Sequence, residues 1–229
     1  MRIGIISEGV EDQGVIKNIL SAVAKSKNVE LDFIPMRPKL SKDEYDLHNP
    51  QNVTIGTFQG VKNACISKAD YERFFLFEDS NYMIVHLDTA EIDRNALSFE
   101  RPNKNKNPNY ATELRNLMIT EINNWLEDES FQSKTLYAIA IEEIEAWCLT
   151  IFENGDTTAA SDPKTKLSKH LAKEDLTYKK LKLNPDKDQS LYFERFTKKK
   201  DFHKLKTLTI YAKKNQSLDD FLTEILNVF

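Results

Sequence analysis

Acidic side chains close the three most apolar runs of this chain. Glu8 follows Arg2 to Ser7, Asp88 follows Tyr82, Met83, Ile84, Val85, His86 and Leu87, and Glu142, Glu143 and Glu145 follow Leu136 to Ile141. One carboxylate at a strand end is commonplace and solvated. Three sets aimed at one crevice differ, because carboxylates gathered without cations repel and raise one another's pKa unless a divalent ion neutralises them. Oxygen donors with no His/Cys cluster beside them suit Mg2+ or Mn2+. Two such ions about 4 Å apart can activate a water and stabilise the leaving oxygen of an in-line displacement on a phosphate ester. Each acid also has a purely structural alternative. Glu8 and Asp12 can favour a helix N-terminus by their charge, and Asp88 can simply end a strand. Glu143 and Glu145 face one way if extended, but lie far apart around the axis of a helix. His86 shares a strand face with Asp88, so it either approaches the site or is a buried, hydrogen-bonded histidine.

These acids need elements to position them, and hydrophobic spacing supplies candidates. RIGIIS reads as a strand that breaks at Glu8-Gly9, and Val15, Ile16, Ile19, Leu20 and Val23 then recur at helical spacing. A second strand is expected around Glu30 to Pro35, a polar loop over Lys39 to Asn52, and helical material from Phe58 to Asp79. NYMIVHLDT is the clearest strand, apolar enough for a central position. After the polar ERPNKNKNPNY, residues Leu114, Leu117, Met118, Ile122 and Trp125 mark an amphipathic helix. Strands alternating with helices imply an α/β fold with a mostly parallel sheet flanked by helices, its crevice outside the carboxyl ends of the strands. From about residue 156 lysine-rich helical segments take over, ending in SLDDFLTEILNVF. The expected organisation is therefore an α/β core over residues 1–155 with a helical, lysine-rich part over 156–229 packed on it.

The net charge of -4 conceals an asymmetry. Between Pro163 and Lys206 there are 14 Lys/Arg against 6 Asp/Glu, while the remainder has 18 against 30. Such a division suits a protein that holds a polyanion with one part and cations with the other, although lysine-rich helices also serve solubility alone. The stretch FTKKKDFHKLK interleaves Phe196, Phe202 and His203 with lysines, which fits a backbone-binding groove or an amphipathic helix with a lysine face. Cys65 and Cys148 lack CxxC spacing and read as buried free thiols. No signal-peptide pattern and no apolar run of roughly 18 residues is present, so a cytoplasmic protein without membrane spans is expected.

The acidic blocks also carry a resemblance. Glu8-Gly9-Val10-Glu11-Asp12 is similar to the E-G-x-x-D turn of the TOPRIM superfamily, and HLDT resembles its second motif, D-x-D after a strand. AIAIEEIEAW resembles the E-I-E-A-W stretch of small bacterial TOPRIM-like proteins found beside phage-defence genes, related to the overcoming-lysogenization-defect nucleases. Asp162-Pro163-Lys164 and the closing helix match their downstream pattern. The resemblance spans most of the chain. It implies a TOPRIM-like fold and a Mg2+- or Mn2+-dependent nuclease hydrolysing DNA or RNA, tRNA included, as the effector of an anti-phage defence or toxin system. It further implies a homodimer or a larger complex with a regulatory partner. In those terms Glu8 is the central ligand or general base, Asp12 a ligand of a second ion, and Asp88 the first acid of D-x-D. Glu143 and Glu145 close the site from the third strand. The basic C-terminal part, through Lys164, Lys198, Lys199, Lys200 and Lys204, is expected to hold the nucleic acid.

One position departs from the pattern: Ala90 stands where an aspartate is expected. Either Glu91 or Asp93 substitutes, or the natural protein has lost full activity, or an aspartate at position 90 was replaced to silence a nuclease. A non-catalytic TOPRIM-like module binding nucleic acid or a partner is therefore the rival reading. A small-molecule phosphatase is less well served, since DTAEID lacks D-x-D-x-T/V. There is no Walker A loop, G-x-G-x-x-G or G-x-S-x-G either.

Overall fold

The computed structural model describes residues 1–38, 57–175 and 192–229. The loop expected over Lys39 to Asn52, His48, and the lysines between 176 and 191 lie outside the described residues. Four parallel strands form one sheet in the order β2-β1-β3-β4. They are β1 (Arg2–Ile6), β2 (Asp32–Arg37), β3 (Ser80–Asp88) and β4 (Thr135–Ala140). Chain order runs outward from β1 to β2 on one side and to β3 on the other, so the topological switch lies between β1 and β3. That places the crevice rule on the strands that end at Glu8 and Asp88.

Each strand shows why it sits where it does. The core strand β3 is buried through Met83, Ile84, Val85, His86 and Leu87. β2 lies two residues further along than the spacing suggests, because Arg2 pairs with Asp32 and Ile6 with Arg37 across a bulge. Pro35, which has no N–H to give, is tolerated there because β2 is an edge strand. Alternate residues serve opposite faces. Ile3, Ile5, Ile84, Leu136 and Ala138 face one apolar cluster, whereas Met83, Val85, Leu87, Tyr137 and Ile139 face the other.

Helices cover both faces. α1 (Val10–Ser26) follows β1 on the first face. α2 (Phe58–Ser67), α3 (Ala69–Phe75) and α4 (Tyr110–Leu126) pack on the second face. The helical stretch from Phe58 is split in two at Lys68, whose backbone turns left-handed at φ 60. The short α5 (Glu129–Gln132) precedes β4. Beyond β4 come α6 (Glu145–Leu149), α7 (Pro163–Glu174), α8 (Tyr192–Lys199), α9 (Leu205–Ala212) and α10 (Gln216–Val228). Leu167, Phe196, Leu208, Phe221 and Ile225 from these helices, with Phe202 from the turn between α8 and α9, share one apolar cluster with β1 and α1. Trp147 lies fully buried in it, stacked on Phe221 with its indole N–H on Ser217 Oγ. The α1–α8 contact is close enough to require glycine at position 14, where a Cβ would lie 2.9 Å from the Glu194 backbone nitrogen. Among the described residues no helix is long and apolar enough to cross a membrane.

Candidate functional site

Glu8 is the second residue past the end of β1, and its Oε1 accepts the backbone N–H of Asp88 at 2.8 Å. One carboxylate thus ties together the ends of the two strands that flank the switch point. Asp88 in turn accepts the Ile144 N–H at 2.8 Å through Oδ1, which fixes the segment between β4 and α6. Asp12 reaches the same place from the first turn of α1. Its Oδ2 lies 3.6 Å from His86 Nε2, and Asp88 Oδ1 lies 3.5 Å from the same nitrogen. Glu145, in the first turn of α6, and Glu11 line a small cleft, partly open to solvent, together with Asp12, Val15, Ile144 and Phe193.

Crowding and burial dominate the electrostatics. Burial, then the charges of Asp12, Glu8 and Glu145, pushes Asp88 well above the usual carboxylate range despite the bond from Ile144. Burial raises Asp12 to about 7 against the pull of the Gly9 N–H and of Lys164. Glu11 rises to about 7 through burial, then through Asp12 and Glu145. Glu145 also rises to about 7, through burial first and Glu143 and Asp12 after it. Glu8 is raised more modestly, since the Asp88 N–H and His86 offset part of its burial. Lys164 offsets part of this crowding, and its own pKa is raised chiefly by Glu145.

Several expected site residues fall elsewhere. Glu143 and Glu145 do not extend β4, which ends at Ala140; they occupy the turn into α6 and part company there. Glu143 accepts the Lys164 N–H at the start of α7, 3.2 Å away, while Glu145 joins the cluster. Glu142, at φ 65, turns to Lys104 at 3.0 Å and to Arg101 at 3.7 Å. Ala90 is exposed, and its N–H and carbonyl are held by the Glu142 carbonyl and the Arg101 guanidinium. Of the two proposed substitutes, Asp93 is gripped by Arg101 at 2.8 Å. Glu91 pairs with Arg94 at 2.7 Å yet stands near enough for its charge to raise Glu8.

On the basic side, Lys198 and Lys199 are exposed in the last turn of α8, Lys200 approaches Glu174 at 4.0 Å, and Lys204 pairs with Asp201 at 3.0 Å. Phe196 and Phe202, between those lysines, are buried, so FTKKKDFHKLK presents lysines over a core-facing aromatic side rather than a stacking platform. Cys65 and Cys148 are both free and buried. Three participants stayed outside the sequence-derived site. Glu11 adjoins Asp12 and carries no pattern of its own, the sequence fits His86 to either a core or a site role, and Arg101 lies in a polar loop. Arg101 donates to the Thr89 and Ala90 carbonyls, Asp93 and Tyr110 Oη, and so clamps the turn that follows Asp88.

Among the described residues no three His, Cys, Asp or Glu side chains stand as a ready ligand set for a metal ion. The chemistry of the donors nonetheless fits a hard divalent cation. Glu8, Asp12 and Asp88 bring oxygens to one buried place, and their mutual repulsion is what such a charge relieves. No protein-family model, curated protein or solved structure matches this chain.

Proposed function

We propose that this chain is a TOPRIM-like, divalent-metal-dependent nuclease acting on DNA or RNA, tRNA included, as the effector of an anti-phage defence or toxin system. The observation that carries this reading is the meeting of Glu8, Asp12, Asp88 and Glu145 beyond β1 and β3, where burial first, and then the acids' charges on one another, favours their protonated forms. Glu8, Asp12 and Asp88 would hold Mg2+ or Mn2+, with Glu91 and Glu145 close behind. When bound, such an ion offsets charge on phosphoryl oxygens and lowers the pKa of a coordinated water.

The chain's own residues divide the remaining work. Glu8, fixed by the Asp88 N–H, is positioned to accept a proton near the reacting phosphate. Lys164, beside Glu145, suits an approaching phosphate oxygen. Lys198, Lys199, Lys200 and Lys204 supply the longer-range attraction that draws a polyanion towards an otherwise acidic crevice. A homodimer, or a complex with a regulatory partner, would keep the activity in check.

A second reading, a non-catalytic module that binds nucleic acid or a partner, is favoured by one observation. Position 90 offers an exposed methyl group where the second acid of D-x-D belongs. Incubating the chain and its Ala90→Asp variant with labelled DNA, total RNA and tRNA in Mg2+ or Mn2+ separates the two. The nuclease reading expects metal-dependent cleavage, stronger in Ala90→Asp. Intact substrates with both forms, together with no calorimetric metal binding, would rule it out.

A further inference from the structure

We propose that the His86 imidazole is a nitrogen ligand of the acidic centre and gives it a preference for Mn2+, or a similarly borderline ion, over Mg2+. The inference rests on the divalent-metal reading above and adds a ligand and a selectivity to it.

His86 is fully buried, and its Nδ1 stands 2.7 Å from the Ala138 carbonyl oxygen of β4. A carbonyl can only accept, so Nδ1 carries the proton and, in the neutral ring, Nε2 presents a bare lone pair. Nε2 has no hydrogen-bond partner, although no solvent reaches it. What it faces is Asp88 Oδ1 at 3.5 Å and Asp12 Oδ2 at 3.6 Å, both acceptors when ionised. Facing lone pairs in a buried space are unfavourable unless a proton or a cation lies among them. At 3.5 and 3.6 Å a proton on either carboxyl is poorly shared with Nε2, which leaves a place for a cation. Adjacent donors about 2.1–2.2 Å from an octahedral ion lie roughly 3.0–3.1 Å apart, so Asp12 and Asp88 stand about half an ångström outside the separation that a shared Mn2+ would set.

The surroundings match those of a ligating histidine. Metal-bound imidazoles typically donate their other N–H to a carbonyl or carboxylate, which fixes the tautomer and aims the ring, as Ala138 does here. The Trp147 ring packs edge-on against the imidazole, its centroid 6.3 Å away. Among the described residues Asp12, Asp88 and His86 do not form a closed shell, so a bound ion would have to draw the two carboxylates towards Nε2. Mg2+ strongly prefers an all-oxygen shell, whereas an imidazole is readily accepted by Mn2+ and the ions after it.

The test uses Mn2+ alone, added to the full chain and followed by electron spin-echo envelope modulation and by competition calorimetry with Mg2+. Bound Mn2+ should show 14N modulation that changes to the 15N pattern when the protein carries 15N-labelled histidine. His86→Gln should abolish the modulation and weaken Mn2+ by about tenfold or more, with little change for Mg2+. Should His86→Gln fail to fold, replacing His48, His170 and His203 with Gln leaves His86 as the one histidine, and the modulation must survive. Mn2+ bound without nitrogen modulation, or modulation lost in that triple variant, overturns the inference and leaves the metal reading standing. Absence of any Mn2+ or Mg2+ binding overturns both.

Discussion

At the scale of single residues, the acidic centre trades stability for readiness to bind charge. Asp88 is held above the normal carboxylate range by burial and by three neighbouring acids, while its Oδ1 still serves as acceptor for Ile144. Asp88→Asn keeps that acceptor and removes the carboxyl group whose ionisation burial opposes in the folded chain. Without metal its melting temperature should rise by a few degrees, while calorimetry should find divalent-ion binding lost. The pH response follows the same logic. Asp12, Glu11 and Glu145 take up protons near pH 7 when folded but near 4 when unfolded. Between those values the folded state binds more protons, so stability falls as pH rises. In EDTA the melting temperature should be about 5 °C higher at pH 6.5 than at pH 8, and Mn2+ should recover most of that difference at pH 8. His86, whose pKa is lowered on folding, acts in the opposite sense, but only below its unfolded pKa of about 6.5.

At the scale of elements, the order of strands does most of the positioning. Alternating apolar runs made the parallel strands legible in the sequence, as did the acids closing them, because a buried strand and its end leave a local signature. The partition of Glu142, Glu143 and Glu145 was not legible. It depends on a left-handed residue at Glu142 and on Lys104, Arg101 and Lys164, which arrive from distant segments. His86 was undecidable for the same reason, since its tautomer is set by a carbonyl on the neighbouring strand. The α1–α8 contact offers a test of this level. Helix propensity alone would make Gly14→Ala stabilising by about 1 kcal/mol. The added Cβ would meet Glu194 Cβ at 2.7 Å, so the variant should instead lose roughly 1–3 kcal/mol in urea unfolding. It should also displace Phe193 from the cleft beside Glu11 and Asp12.

At the scale of the whole molecule, an acidic crevice and a lysine-rich flank occupy one fold. The C-terminal helices share an apolar cluster with β1 and α1, so the lysines of α8 have a fixed relation to the acids of α1. If that flank gathers nucleic acid, Lys198→Glu with Lys199→Glu should weaken binding of every sequence alike. The slope of log affinity against log salt should fall by about 2, while divalent-metal affinity should hardly change. The central claim, that the acids beyond β1 and β3 form one cation site, is tested most directly by anomalous diffraction from Mn2+-soaked crystals. The account predicts a single strong peak, or a close pair, bounded by Glu8, Asp12 and Asp88 and within bonding distance of His86 Nε2. Ordered carboxylates with no anomalous peak among them at saturating Mn2+ would contradict it.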